Sequence, residues 1–83
     1  MQNWYFRADI RCHLRNGDTQ TLRDYEVAVE AFDRQDAIDG LEAVATNMID
    51  DAGSKLLDCP LDHIEVIRYR DDGTTGVWYY PQE

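Results

Sequence analysis

The sequence predicts an α+β fold: a four-stranded antiparallel sheet in ββαββ order with one amphipathic helix packed on one face. Three observations predict it. Residues 4–15 alternate apolar and polar with almost no break, the period-2 signature of a half-buried strand. Residues 25–32 alternate in the same way and pass at Asp33 into a run where apolar residues recur every three or four positions, which places them on one side of a helix. Two turn signals, Asn16-Gly17-Asp18 and Asp71-Asp72-Gly73, each stand next to a strand-like run, as hairpins require. At 83 residues the chain has room for one core, because a chain this size buries only about 60–65 % of its unfolded surface. The expected organisation is a single domain over residues 1–83, with a hairpin at 4–32, a helix at 33–52, a connector at 53–62 and a second hairpin at 63–80.

In the first strand Trp4, Phe6, Ala8, Ile10, Cys12 and Leu14 form one face, and Tyr5, Arg7, Asp9, Arg11, His13 and Arg15 the other. A second strand follows over 19–32. Leu22 breaks its alternation, which predicts a bulge or a wider loop there. Two registers compete. A four-residue loop, 16–19, sets Phe6 against Val29, Ala8 against Val27, Ile10 against Tyr25 and Arg11 against Asp24. A two-residue loop sets Phe6 against Val27 and Arg7 against Glu26, but brings Asp9 against Asp24. Like charges opposite each other are unfavourable, so the longer loop is preferred.

In the helix, Ile38, Leu41, Val44/Ala45 and Met48/Ile49 share a side. Asp33 is placed to cap it by accepting the free amide of Asp36, and Gly53 to end it at a positive φ. Leu56 and Leu57 are expected under the core, and Pro60 forbids a regular ladder or helix in the connector. A third strand over 63–70, a turn at 71–73 and a fourth strand over 74–80 follow. A three-residue loop pairs Ile64 with Tyr80 and Val66 with Trp78. The expected core includes Trp4, Phe6, Ile10, Val27, Val29, Ile38, Leu41, Met48, Val66 and Trp78. The expected outer face carries Tyr5, Arg7, Arg11, Glu65, Ile67, Tyr69, Val77 and Tyr79.

The formal net charge is −9, and it is concentrated. Between Asp24 and Asp62 eleven acids meet only Arg34 and Lys55, whereas outside that window six acids meet six arginines. The whole imbalance sits on the helix, its approach and the loop after it. Such a surface repels nucleic-acid phosphates and attracts basic surfaces; it also serves solubility alone. No apolar run nears the roughly 20 residues of a membrane span. The start, Met1-Gln2-Asn3-Trp4, lacks a basic, then apolar, leader, so a cytoplasmic setting is expected.

Cys12, His13, Cys59 and His63 are the soft-ligand candidates. Cys12 and His13 are strand neighbours and point to opposite faces, and no Cys-x-x-Cys pair exists, so neither a metal nor any other cofactor is expected. Cys12 reads as a core residue, Cys59 as a loop thiol and the histidines as strand-surface residues. A Cys12–Cys59 disulfide stays open, though a cytoplasmic setting disfavours it. No nucleophile stands beside a base and no glycine-rich phosphate loop is present, so no catalytic residue is assigned. Tyr5, Arg7, Arg11, Tyr69 and Tyr79 suit base stacking on a sheet, but the charge opposes direct nucleic-acid binding.

Two features depart from local rules. Asp50 and Asp51 stand at the negative end of the helix dipole. The outer sheet face carries Ile67, Tyr69, Val77 and Tyr79 where polar residues are usual. Two candidate interaction surfaces follow: an acidic one, Asp39, Glu42, Asp50, Asp51 and Asp58, and the outer sheet face, as a partner or homodimer contact.

The run Val27-Ala28-Val29-Glu30-Ala31-Phe32-Asp33, followed by Asp36-Ala37, resembles the strand-to-helix passage of many small phage and mobile-element proteins. Size, acidity and hairpin–helix–hairpin order are similar to those of several anti-CRISPR proteins, including ones that occupy the DNA-binding surface of a nuclease or surveillance complex. The resemblance covers architecture and carries over no functional residue. It implies a protein partner with a basic surface and no catalysis. The alternatives are a small homo-oligomeric structural module and a small-molecule binder.

Overall fold

The computed structural model describes residues 1–71 and the backbone of Trp78 and Tyr79. Two long strands, β1 (Gln2–Leu14) and β2 (Thr19–Ala31), form the first hairpin. A helix, α1 (Arg34–Ala52), runs into a single 3-10 turn, Gly53–Lys55. A third long strand, β3 (Leu61–Asp71), then pairs with β1. The sheet is antiparallel, in the order β2-β1-β3, with β1 in the middle.

This corrects the expected four-stranded ββαββ sheet. The architecture is a three-stranded sheet and one helix in the order ββαβ. Among the described residues, a two-residue pairing follows at the other edge of β3, Trp78 opposite Arg70 and Tyr79 opposite Tyr69. Trp78 is therefore not opposite Val66; the rest of the expected strand at 74–80, Tyr80 included, lies outside the described residues. The reason is that β3 does not stop at the expected turn. Asp71 still pairs with β1, opposite Phe6, and its carboxylate takes the Arg34 Nε–H of α1 at 3.0 Å. Local turn chemistry at Asp71 yields to a ladder and an ion pair made with distant residues.

The first hairpin also corrects the preferred register. Phe6 is opposite Val27 and Arg7 opposite Glu26, the pairing set aside because it brings Asp9 to Asp24. Two irregularities make it workable. The loop holds Arg15, Asn16 and Gly17, closed by Leu14 N–H donating to Asp18 O at 2.9 Å, with Gly17 at φ 92°. Further along, β2 inserts one extra residue, so that Ala8 faces Tyr25 but Ile10 faces Leu22. The bulge falls next to Leu22, where the alternation breaks. Asp24 there takes φ 54°, a conformation Asp tolerates better than most residues. Its backbone N–H donates to Asp9 Oδ1 at 2.9 Å. Asp9 thus meets an amide of Asp24 in place of a like charge.

The other neighbour of β1 is bulged at the same height. Asp9 faces Arg68 and Ile10 faces Val66, leaving Ile67 as the extra residue of β3. A bulge reverses which side chains face inward beyond it. Tyr69 therefore leaves the expected outer face and packs edge-on against Phe6 in the core, ring centroids 6.0 Å apart at 86°.

The helix begins as the sequence requires, with Asp33 accepting the Asp36 N–H at 2.8 Å, and ends at Gly53, φ 52°, whose N–H reaches Ile49 O. Its buried row is Ala37, Leu41, Ala45 and Ile49, one residue per turn. Ile38, Val44 and Met48 flank that row half-buried. The small alanines let the helix lie close to the sheet, and the larger residues close the sides. Phe6, Ile10, Val27, Val29 and Leu41 are buried as expected, whereas Trp4 and Val66 are half-buried. Leu57 and Leu61 complete the core beneath the connector. Gln20 holds that connector through its amide, which donates to Leu56 O at 2.6 Å and accepts from Asp58 N–H.

Asp9 is 3 % exposed and is the buried charged residue of the described chain. Asp9→Ala leaves the Asp24 amide without its acceptor and Arg68 without its carboxylate, and is expected to cost about 2–3 kcal/mol in urea unfolding. Asp9→Asn keeps an acceptor and is expected to cost about half of that. An alanine variant within about 0.5 kcal/mol of the parent would show that the bulges close without this carboxylate.

Candidate functional site

The outer face of the sheet is a lattice of ion pairs. Arg68 Nε donates to Asp9 Oδ2 at 2.7 Å, and Arg23 lies 3.8 Å from the same oxygen. Arg7 reaches Glu26 at 3.4 Å and donates to Asp24 O at 3.3 Å, while Arg70 reaches the Asp24 carboxylate at 3.3 Å. Arg11 lies 3.8 Å from Glu65. His13 Nε2 is hydrogen-bonded to Glu65 Oε1, and the His13 ring stacks on His63 at 4.3 Å and 8°. His63 in turn is bonded to Asp62 at 3.0 Å.

That arrangement corrects the expected apolar face. Tyr69 is in the core, Ile67 is half-buried at the bulge, and Tyr5 is exposed. Val77 and the side chain of Tyr79 lie outside the described residues. The cations expected there, Arg7 and Arg11, are engaged with acids of the same face.

The acidic residues are placed differently. Asp39, Glu42, Asp50, Asp51 and Asp58 are all exposed on the helix and just past its end. Among the described residues none of the five enters an ion pair; Asp39 accepts from Gln35 Nε2 at 3.0 Å. Six of the eight Lys and Arg residues are in ion pairs elsewhere: Arg7, Arg11, Arg23, Arg34, Arg68 and Arg70. Most of the positive charge is thus engaged between the strands and at the start of the helix, and with Lys55 as the one cation in sequence between Arg34 and Asp62 the helix side keeps a net negative field.

At the end of α1 that side meets a pocket of about 260 Å³. Buried Ile49, Leu57 and Leu61 make its floor with Pro60, and exposed Asp50 and Asp58 stand at its rim. Ser54 and the half-buried Cys59 complete the wall. The pocket brings together two acids that are eight positions apart in sequence. Asp39 and Glu42 lie further up the helix and do not line it.

Both cysteines are free; Cys12 is buried on the core face, opposite in direction to His13. Burial raises the Cys12 thiol, and raises the Tyr25 hydroxyl as well. A thiol so raised is a poor nucleophile. Among the described residues no group of three or more His, Cys, Asp or Glu side chains is arranged to hold a metal ion. No helix among them is long and apolar enough to cross a membrane.

Compared with known proteins, the chain matches no family model, no curated protein and no solved structure.

Sequence reasoning missed Asp9, the His13–His63 stack and the pocket. Asp9 gave one signal: it is the one acid on a strand face that also carries Arg7, Arg11 and Arg15. The stack and the pocket depend on which strand lies beside β1 and on how the connector folds back, and neither leaves a local pattern.

The ion-pair lattice fixes the acid response of the fold. Burial pushes the Asp9 carboxyl up, but the Asp24 amide, Arg68 and Arg23 together bring it below its ordinary value. The His13 hydrogen bond lowers Glu65, aided by the charges nearby. Both groups therefore have folded pKa values below their unfolded ones. Their contribution to stability is complete above the unfolded carboxylate range near about 4, and is lost as pH falls through the folded values. The urea midpoint is expected to drop steeply below pH about 4. Arg68→Met, which removes the charge beside Asp9, is expected to make that drop shallower; an unchanged slope would separate Asp9 from the acid transition.

Proposed function

We propose that this is a non-enzymatic interaction protein whose acidic helix side binds a basic protein surface. One observation carries the reading: Asp39, Glu42, Asp50, Asp51 and Asp58 are exposed and enter no ion pair among the described residues, while six of the eight Lys and Arg residues pair with acids elsewhere, and Lys55 is the one cation in sequence between Arg34 and Asp62. A field left open in this way steers oppositely charged partners and repels nucleic acid. The basic surface it suits best is one that itself binds nucleic acid, with Asp39, Glu42, Asp50, Asp51 and Asp58 standing where phosphates would. An inhibitor of the anti-CRISPR kind, acting in the cytoplasm of a host cell, fits that chemistry; of the resemblance, size and acidity remain, while the hairpin–helix–hairpin order gives way to ββαβ. Homodimer formation through the outer sheet face is less favoured, because Tyr69 is withdrawn into the core and the charges of that face pair within the chain.

Binding through this surface is expected to weaken steeply as salt rises, since exposed charges are screened within about 8 Å at physiological ionic strength. Reversing Asp39, Glu42 and Asp50 to Lys is expected to leave urea stability nearly intact, at about 0.5 kcal/mol or less for each change. The same triple variant is expected to lose binding to the basic complexes recovered with the parent chain from a host extract. Equal recovery by parent and variant would remove the acidic helix from the account.

A further inference from the structure

We infer that the pocket at the end of α1 is an anchor for one arginine side chain of the basic partner. The inference rests on the reading above and names what that surface holds. The size suits it: about 260 Å³ lies below the roughly 300–1,000 Å³ of small-molecule sites. The lining is divided as an arginine is divided. Ile49, Leu57, Leu61 and Pro60 offer an apolar floor for the methylene stem and the flat faces of the guanidinium. Asp50 and Asp58 stand at the rim, where a planar fork of N–H donors can bond a carboxylate at each side. The last turn of α1 contains no basic residue, and Lys55 in the turn that follows does not line the pocket, so the negative end of the helix dipole favours an incoming cation there. Lysine is the weaker occupant, because a strongly hydrated ammonium gains less from an apolar floor and makes no bidentate contact.

The test uses the full chain and three capped tripeptides, Gly-Arg-Gly, Gly-Lys-Gly and Gly-norleucine-Gly, titrated while the methyl signals of Ile49, Leu57 and Leu61 are followed by NMR. The arginine peptide is expected to give saturable shifts confined to the pocket. The lysine peptide is expected to bind several-fold more weakly, and the norleucine peptide not measurably. Asp50→Asn and Asp58→Asn are each expected to weaken the arginine peptide by about tenfold, one charge-assisted contact apiece. Ser54→Trp, a change at an exposed wall position, is expected to fill the pocket and abolish the shifts with the fold unchanged. Shifts equal for arginine and lysine and spread over all exposed acids would overturn the anchor, and so would no shift at all. The two readings fail separately. A chain that binds a polyarginine through Asp39 and Glu42 with a silent pocket keeps the acidic surface and loses the anchor. A chain whose pocket saturates with arginine, while the Lys reversals leave basic partners bound, keeps the anchor and loses the surface.

Discussion

Asp9 sits in the middle strand with both neighbouring strands bulged around it, and the geometry of the sheet depends on how its charge is met. A carboxylate this deep is costly unless paired and hydrogen-bonded. Here β2 supplies the amide of Asp24 and β3 supplies the guanidinium of Arg68. Each strand delivers its group only by inserting one residue, and each insertion changes what lies beyond it. In β2 it lets Phe6 meet Val27. In β3 it turns Tyr69 inward onto Phe6 and sets Asp71 on the helix side, against Arg34. The core at one end of the molecule, and the tie between helix and sheet, both descend from this polar contact on the opposite face.

The same contact sorts the charge of the molecule. Arginines near β1 are drawn to Asp9, Asp24, Glu26 and Glu65, so the outer sheet face closes on itself electrostatically. What remains is the helix side, where Asp39, Glu42, Asp50, Asp51 and Asp58 enter no ion pair among the described residues. Exposed ion pairs add little stability individually. Their effect here is distributional: they hold the positive charge on the sheet and leave the negative charge on the helix side.

The end of the helix is where stability and binding pull apart. Acids at a helix C-terminus are unfavourable by a few tenths of a kcal/mol each, and Asp50 and Asp51 stay there. The helix tolerates them because Asp33 and Gly53 cap its ends and because Ala37, Leu41, Ala45 and Ile49 pack on the sheet. Gln20 fastens the connector to the hairpin, so Asp50 and Asp58 are presented on a braced floor.

The sequence by itself determined the elements with strong local signals. Alternation over β1 and β2, the change of period at Asp33, the Asp33 cap and the Gly53 stop all come from rules that act within a few residues. The exposure of the acids was legible too, because they occupy the helix side opposite Leu41 and Ile49. Tertiary structure decided the rest. Register turned on whether Asp9 and Asp24 repel, and pairwise strand rules cannot include an arginine that arrives from a strand more than forty residues later. The expected turn at 71–73 and the register built on it failed because Asp71 is held by Phe6's strand and by Arg34, at sequence distances no turn signal senses. Tyr69 changed faces for the reason that one inserted residue upstream inverts every side chain after it. The pocket required the connector to fold back against the helix end. Local patterns fix periodicity and caps; register, facing and cavities are set by contacts between residues far apart in the chain.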